Sequence, residues 1–319
     1  MAGLMTVVRL TAVDKRFGGI PSLRGIDLDL RAGEIHALVG ENGAGKSTLG
    51  KIIGGYHARD GGEMEVFGKR VQGPWGPRRA LDAGIAMIQQ ELAMVPALSV
   101  QDNVFLGIET RRFGVLARDT ARRYAELDRL AGFGIPGDTR LARLRVADRQ
   151  KVEILRALAR NASIIIMDEP TASLTAGDIE RLHATMKRLR DDGCTIVYVT
   201  HFLDDVLAVA DRITVLRDGA KIVTTEAEGQ TKASLVAAMI GSSVDVSYPA
   251  LPARPATEVQ PVLSVEGLRT PSGVRGVDFA IRPGELVGLI GLVGSGRSEI
   301  ARAIAGVDPI AAGRIVFDG

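Results

Sequence analysis

Residues 5–12 (MTVVRLTA) alternate apolar with polar side chains, and residues 24–39 continue in the same way until they tighten into the unbroken apolar run IHALV. Alternation of period two predicts strands with one buried face, and a short continuous run predicts a strand buried on both. IHALV leads straight into a glycine-rich turn and then a helical stretch, STLGKIIGG, so the local order is strand, loop, helix. GEMEVFGKRV predicts further β structure, and residues 100–160, with Ala, Leu and Arg at helical spacing, predict a mostly helical zone. SIIIMDEP and CTIVYVTH read as buried parallel strands, the first ending in two carboxylates and the second in a histidine. ITVLRDGAKIV predicts a hairpin turning at Asp-Gly, and ASLVAAMIG a closing helix. The fold class is α/β, with a parallel-sheet core, an antiparallel β subdomain and a helical subdomain.

The pattern changes after residue 243. SYPALPARPATEVQP carries four prolines and almost no large apolar side chain, which predicts an extended linker over 244–261. Beyond it, Leu23–Gly68 aligns without a gap on Val274–Gly319, with roughly a third of positions identical. The expected domains are therefore 1–243, complete, and 262–319, the start of a second copy. The helical zone and the carboxylate and histidine strands have no counterpart there, so this second copy is not expected to complete a core, and the chain reads as a fragment of a longer tandem protein.

Composition narrows the function classes. Forty Lys and Arg against thirty-eight Asp and Glu leave a net charge of +2, too balanced for a field that condenses nucleic acid. A single cysteine, Cys194, excludes an internal disulfide and a Cys-rich metal site, and is expected as a buried strand residue. No apolar run approaches the ~20 residues that span a bilayer, and the N-terminus lacks a signal-peptide pattern, so any membrane role goes through a partner.

GENGAGKST (40–48) has the spacing of a phosphate-binding loop between a strand and a helix. Gly40, Gly43 and Gly45 let the backbone N–H groups of Glu41, Asn42 and Ala44 and their neighbours turn toward phosphate oxygens. Lys46 would meet the β- and γ-phosphates, the Ser47 hydroxyl would ligate Mg²⁺, and Thr48 closes the motif. Parallel strands point their C-terminal ends at the ligand crevice, which would bring Asp168 toward Mg²⁺ and Glu169 toward an attacking water. His201 ends its strand at a similar level, where an imidazole would reach the γ-phosphate. Taken singly, Asp168-Glu169 before Pro170 also reads as a helix cap, and a lone histidine as an ordinary surface residue.

The set GENGAGKST, MIQQEL, LRVADRQKVEILRALAR, IIIMDEP, TASLT and VTHF, in this order, resembles the ATP-binding subunit of an ABC transporter, more narrowly the tandem-domain ATPases of bacterial simple-sugar importers. The resemblance implies ATP and Mg²⁺ as ligands, and partners in a transmembrane permease and an extracytoplasmic solute-binding protein. It also implies a peripheral place on the cytoplasmic face of the membrane, with no nucleic acid. It gives Phe17 as the aromatic that stacks on adenine, Gln90 as the glutamine linking Mg²⁺ to the permease interface, and Ala172, Ser173 and Leu174 as the segment that crosses to the facing domain. A catalytically weak ATP-binding module and a non-transport tandem ATPase acting on ribosomes or nucleic acid stand as alternatives.

Two stretches depart from that family's pattern. Where the family carries LSGGQ or LSVGQ, this chain has Leu144, Arg145, Val146, Ala147 and Asp148, so serine, glycine and glutamine are replaced. The second loop, GLVGSGRSEI, keeps Gly291, Gly294, Gly296 and Ser298 but has Arg297 in place of lysine. Arginine retains the charge with a larger, planar head. In head-to-tail pairs of such domains each nucleotide lies between one loop and the other signature, so the resemblance implies one hydrolysing site and one altered, mainly binding site, and a chain of this extent that turns over slowly.

Overall fold

The computed structural model describes residues 5–88, 94–109, 111–112, 115–116, 119–171, 174–241, 260–291 and 294–317. They fall into two units, Met1–Val244 and Asp245–Gly319; most of the expected linker lies outside the described residues. The first unit runs β1 (Thr6–Phe17), β2 (Ile20–Arg31), β3 (Ile35–Val39), α1 (Lys46–Ile53), β4 (Gly61–Val66), β5 (Lys69–Arg70), α2 (Pro77–Asp82) and β6 (Ile85–Ile88). It continues through α3 (Val100–Phe105), β7 (Arg111–Arg112), β8 (Val115–Leu116), α4 (Thr120–Ala131), α5 (Val146–Leu158), β9 (Ile164–Asp168) and α6 (Ala176–Asp191). β10 (Thr195–Val199), α7 (Leu203–Val209), β11 (Arg212–Arg217), β12 (Ala220–Glu226) and α8 (Lys232–Ile240) complete it.

The six-stranded sheet has the order β12-β11-β3-β10-β9-β6, and only β12 runs antiparallel to its neighbour. Its middle strands explain the unbroken apolar runs. Ile164 and Ile166 of β9 and Val197 and Val199 of β10 face one core, shared with α1 and the four-stranded antiparallel sheet β2-β1-β4-β5. Their neighbours Ile165, Met167, Ile196 and Tyr198 face the other core, shared with α3, α4, α5 and α6. A strand with a core on each side has no polar face, and truncating a residue such as the fully buried Ile166 to alanine costs about 2–5 kcal/mol. Cys194 lies one residue before β10 and is half-buried, so it flanks the strand and is not the buried strand residue the sequence suggested.

In the second unit β13 (Leu263–Arg269), β14 (Arg275–Ile281) and β15 (Ala312–Phe317) form an antiparallel sheet of order β14-β13-β15 against α9 (Arg297–Ile304). Leu263, Val265, Leu268, Val274, Ile300 and Ala303 make a small core. Residues 286–290, which align with the wholly buried β3, form no strand, and Leu286 and Ile290 are 100% and 95% exposed. In the first unit β3 is paired on both edges, by β10 and β11. Among the described residues of the second unit no strand takes those places. No helix among the described residues is long and apolar enough to cross a membrane.

Candidate functional site

Register brings three strand ends to one level. Val199 of β10 lies opposite Leu38 of β3 on one side and Asp168 of β9 on the other. The chain therefore leaves the sheet side by side at Gly40, Glu169 and Thr200-His201. The glycine loop makes a close turn there: a Cβ on Gly40 would lie 2.2 Å from the Leu216 carbonyl oxygen. Gly45, at φ +99°, is the N-cap of α1 without a side-chain cap, so the first N–H groups of the helix remain donors for an anion. A Cβ on Gly45 would come within 2.8 Å of the Ser22 carbonyl oxygen and 2.6 Å of Leu23 Cδ2.

Lys46 is buried, and its Nζ donates to the carbonyls of Gly40 at 2.7 Å and Glu41 at 2.8 Å. Burial holds its pKa below the ordinary lysine value, against the opposing pull of Glu169, Asp168 and Glu41. Ser47 Oγ donates to Asp168 Oδ1 at 2.8 Å. Burial pushes the Asp168 carboxyl above its ordinary range, against the Ser47 hydrogen bond and the Lys51 and Lys46 charges. Glu169 adopts φ +49°, and its Oε1 lies 3.1 Å from His201 Nδ1. Between the loop and Glu169 is an open cavity of about 380 Å³, walled by Ser22, Asn42, Lys46, Ser47 and Thr48 among others. The arrangement offers N–H donors and an ammonium for a polyphosphate, a hydroxyl-carboxylate pair for a divalent cation, and a carboxylate and imidazole beside them for water. Among the described residues no three His, Cys, Asp or Glu cluster as a metal cage.

Phe17 ends β1 and is 45% exposed, not in the core. Lys15 Nζ sits 5.3 Å from the ring centroid, and the His57 ring meets it edge-on at 5.2 Å. Gln90, Ala172 and Ser173 lie outside the described residues, while Leu174 packs in the second core. The altered signature begins with Leu144, half-buried, and Arg145, the exposed N-cap of α5, whose first turn holds Ala147 and Asp148. Val146 begins that helix. Asp148 does not stand as a lone negative charge: Lys151 Nζ contacts it at 3.1 Å and Arg145 Nε at 3.4 Å. Lys151 also reaches Asp178 Oδ1 at 3.1 Å, joining the signature helix to α6. Sequence reasoning gave no role to Lys151, His57 or Ser22, of which only Lys151 falls within a quoted motif. In the second unit Gly294 at φ +81° and Gly296, the N-cap of α9, at φ +94° match Gly43 at φ +85° and Gly45 at φ +99° of the first loop. Arg297 and Ser298 open that helix.

A glycine loop, a carboxylate pair and a histidine at the C-terminal edge of a parallel sheet, flanked by an antiparallel sheet and a helical layer, define a P-loop ATPase cassette. The family model described as ABC transporter matches residues 23–172 and 274–319, and the chain belongs to that family. It is similar to the ribose import ATP-binding protein RbsA of Chromobacterium violaceum, with 43% identity over 98% of this chain and 62% of the relative. It is likewise similar to a putative ribose/galactose/methyl galactoside import ATP-binding protein of Burkholderia ambifaria, with 43% identity over 98% of this chain and 61% of the relative. The chain thus spans about three fifths of the length of these curated relatives. Among solved structures it resembles an ATP-binding cassette of an ABC transporter in its ADP conformation, with a TM-score of 0.65, 25% identity, and coverage of 75% of this chain and all of that one.

Proposed function

We propose that this chain binds and hydrolyses Mg-ATP to drive import of a small solute, a sugar such as ribose, through a membrane permease. The observation that carries this reading is the convergence of Lys46, Ser47, Asp168, Glu169 and His201 at three strand ends held in register. In it, Lys46 and the loop N–H groups hold the β- and γ-phosphates, and Ser47 and Asp168 hold Mg²⁺, with Gln90 as a further oxygen donor. When bound, Mg²⁺ neutralises charge that develops on the phosphates. Glu169 orients and polarises the attacking water, and His201 positions Glu169 and reaches the γ-phosphate. Phe17 stacks on adenine.

Sugar import is the activity that the relatives' names give, and it is carried over here as part of the proposal. The permease would dock at an open cleft of about 350 Å³ between Tyr56, Arg78, Leu81, Met87, Glu153 and Arg156. β6 borders that cleft, and Gln90 follows its last residue by two positions in the sequence. A solute-binding protein outside the membrane would select the solute, and this chain would sit on the cytoplasmic face. The test pairs fluorescent-nucleotide titration in Mg²⁺ with phosphate release. Lys46→Ala is expected to weaken binding at least about tenfold through loss of charge-assisted contacts, and Glu169→Gln to retain binding but abolish release. Unchanged binding by Lys46→Ala refutes the site. Labelled-ribose uptake that is equal with and without an intact Lys46 in cells refutes the transport reading alone.

A further inference from the structure

Ser22 belongs to none of the motifs, yet it stands in the wall of the phosphate cradle. Its hydroxyl lies 2.9 Å from Thr48 Oγ1. The backbone around it is pinned from two sides. Its carbonyl oxygen would be 2.8 Å from a Cβ on Gly45 and 2.7 Å from one on Gly219, and two residues on Arg24 N donates to Gly219 O at 2.8 Å. Ser22 is thus held at a fixed distance from the loop.

Each hydroxyl has one O–H to give and two lone pairs to accept with. In the Ser22–Thr48 pair one O–H is consumed by the partner oxygen, which leaves a single O–H between them for another acceptor. The next hydroxyl, Ser47, is already committed to Asp168. The polar ends of the cradle are also distinct. Lys46 and Glu169 mark the end where the terminal phosphates react. Phe17 marks the base end, on the hairpin that carries Ser22, where Phe17 pairs with Ile20 and Arg16 with Pro21.

We infer that Ser22 is a positioning residue that orients the Thr48 hydroxyl toward the nucleotide phosphate nearest the ribose, the α-phosphate. This rests on the reading of the first loop as a nucleotide site. A hydrogen bond to an ionised oxygen is stronger than one between neutral groups, so the full 319-residue chain carrying Ser22→Ala is expected to bind Mg-ADP and Mg-ATP about tenfold more weakly. The α-phosphate does not react, so KM rises by that factor while kcat holds. Ser22→Thr, which keeps the hydroxyl, restores binding. Because Ser22 acts through Thr48, Ser22→Ala added to Thr48→Val causes no further loss. A structural role alone would lower the melting temperature without this pattern.

The inference is overturned if Ser22→Ala binds within twofold of wild type while Lys46→Ala has lost binding. It is equally overturned if the two losses multiply in the double variant. If Lys46→Ala itself binds normally, the nucleotide reading fails and takes this one with it. Should Ser22→Ala lose its cooperative melt, Ser22→Cys, close in size with a weak donor, is measured under the same criteria.

Discussion

Glu169 sits at φ +49°, in the left-handed region that side chains with a Cβ avoid. Two constraints put it there. Its N–H donates to the Val199 carbonyl at 2.9 Å, continuing the β9–β10 ladder, and the following Pro170 disfavours the right-handed helical region. The chain then turns sharply and presents the carboxylate to His201 and the cradle. Comparing Glu169→Gly with Glu169→Ala isolates this backbone term, because both lose the carboxylate and only alanine keeps the Cβ. A left-handed conformation costs about 1–2 kcal/mol for a residue with a Cβ. Glycine's extra freedom in the unfolded chain takes back about 0.5–1 kcal/mol. The glycine variant is therefore expected to be the more stable by about 0.5–1 kcal/mol. For a unit of this size that is about 1–4 °C in melting temperature. At an ordinary strand or helix position the sign is opposite. Thermal denaturation of the two variants, both inactive in phosphate release, reads the difference directly. An alanine variant that melts at or above the glycine variant refutes the argument that strain is stored at Glu169.

The other expectations concern titratable groups. Asp168→Asn is expected to melt above wild type in the absence of nucleotide near pH 8 and to abolish phosphate release. The folded-state pKa of Asp168 is raised, so its stabilising contribution is complete below the ordinary value of 3.8 and lost as pH rises through the folded value. The asparagine advantage should accordingly shrink as pH falls toward that ordinary value, and an advantage independent of pH contradicts the assignment. The same variant should bind nucleotide with little response to chelating Mg²⁺, whereas wild type weakens; equal responses argue against Asp168 as a cation ligand. Burial pushes the Cys194 thiol up to about 11. At pH 8 only about a thousandth of it is thiolate, so a thiol reagent should label the native chain about 100-fold more slowly than the denatured one. Equal rates would show the thiol to be open.

What the sequence reveals about this fold depends on whether a residue's role is local. β3, β9 and β10 were legible because a strand with a core on each face has no polar positions. The first loop was legible because its strand and helix flank it directly. Ser22, Lys151 and His57 were not, since each acts through a contact distant in sequence: Thr48, Asp178 and Phe17 respectively. Residues 286–290 show the converse. They match β3 in pattern, but a central strand is made by its neighbours' hydrogen bonds as much as by its own apolar side chains. The strand pattern alone leaves Leu286 and Ile290 in solvent.

The charges of the cradle argue for what it holds. Lys46 and Asp168 shift in opposite directions for one reason: burial disfavours the charged form of each, and their mutual attraction does not make up the loss. A salt bridge made for stability would move both the other way, with the carboxyl lowered and the ammonium raised. Here Lys46 turns to carbonyl dipoles and Asp168 to a neutral hydroxyl. Each lacks a full counter-charge, and the two deficits have opposite sign. A polyphosphate supplies the anion that Lys46 lacks, and a divalent cation the positive charge that Asp168 lacks, so neither alone satisfies the site. The unit is then less stable than a neutral cradle would be, and ligand returns the difference through linkage, about 2.7 kcal/mol at a hundred times its dissociation constant. On the proposed reading, the same charges that weaken the fold would be the ones that bind the two components together.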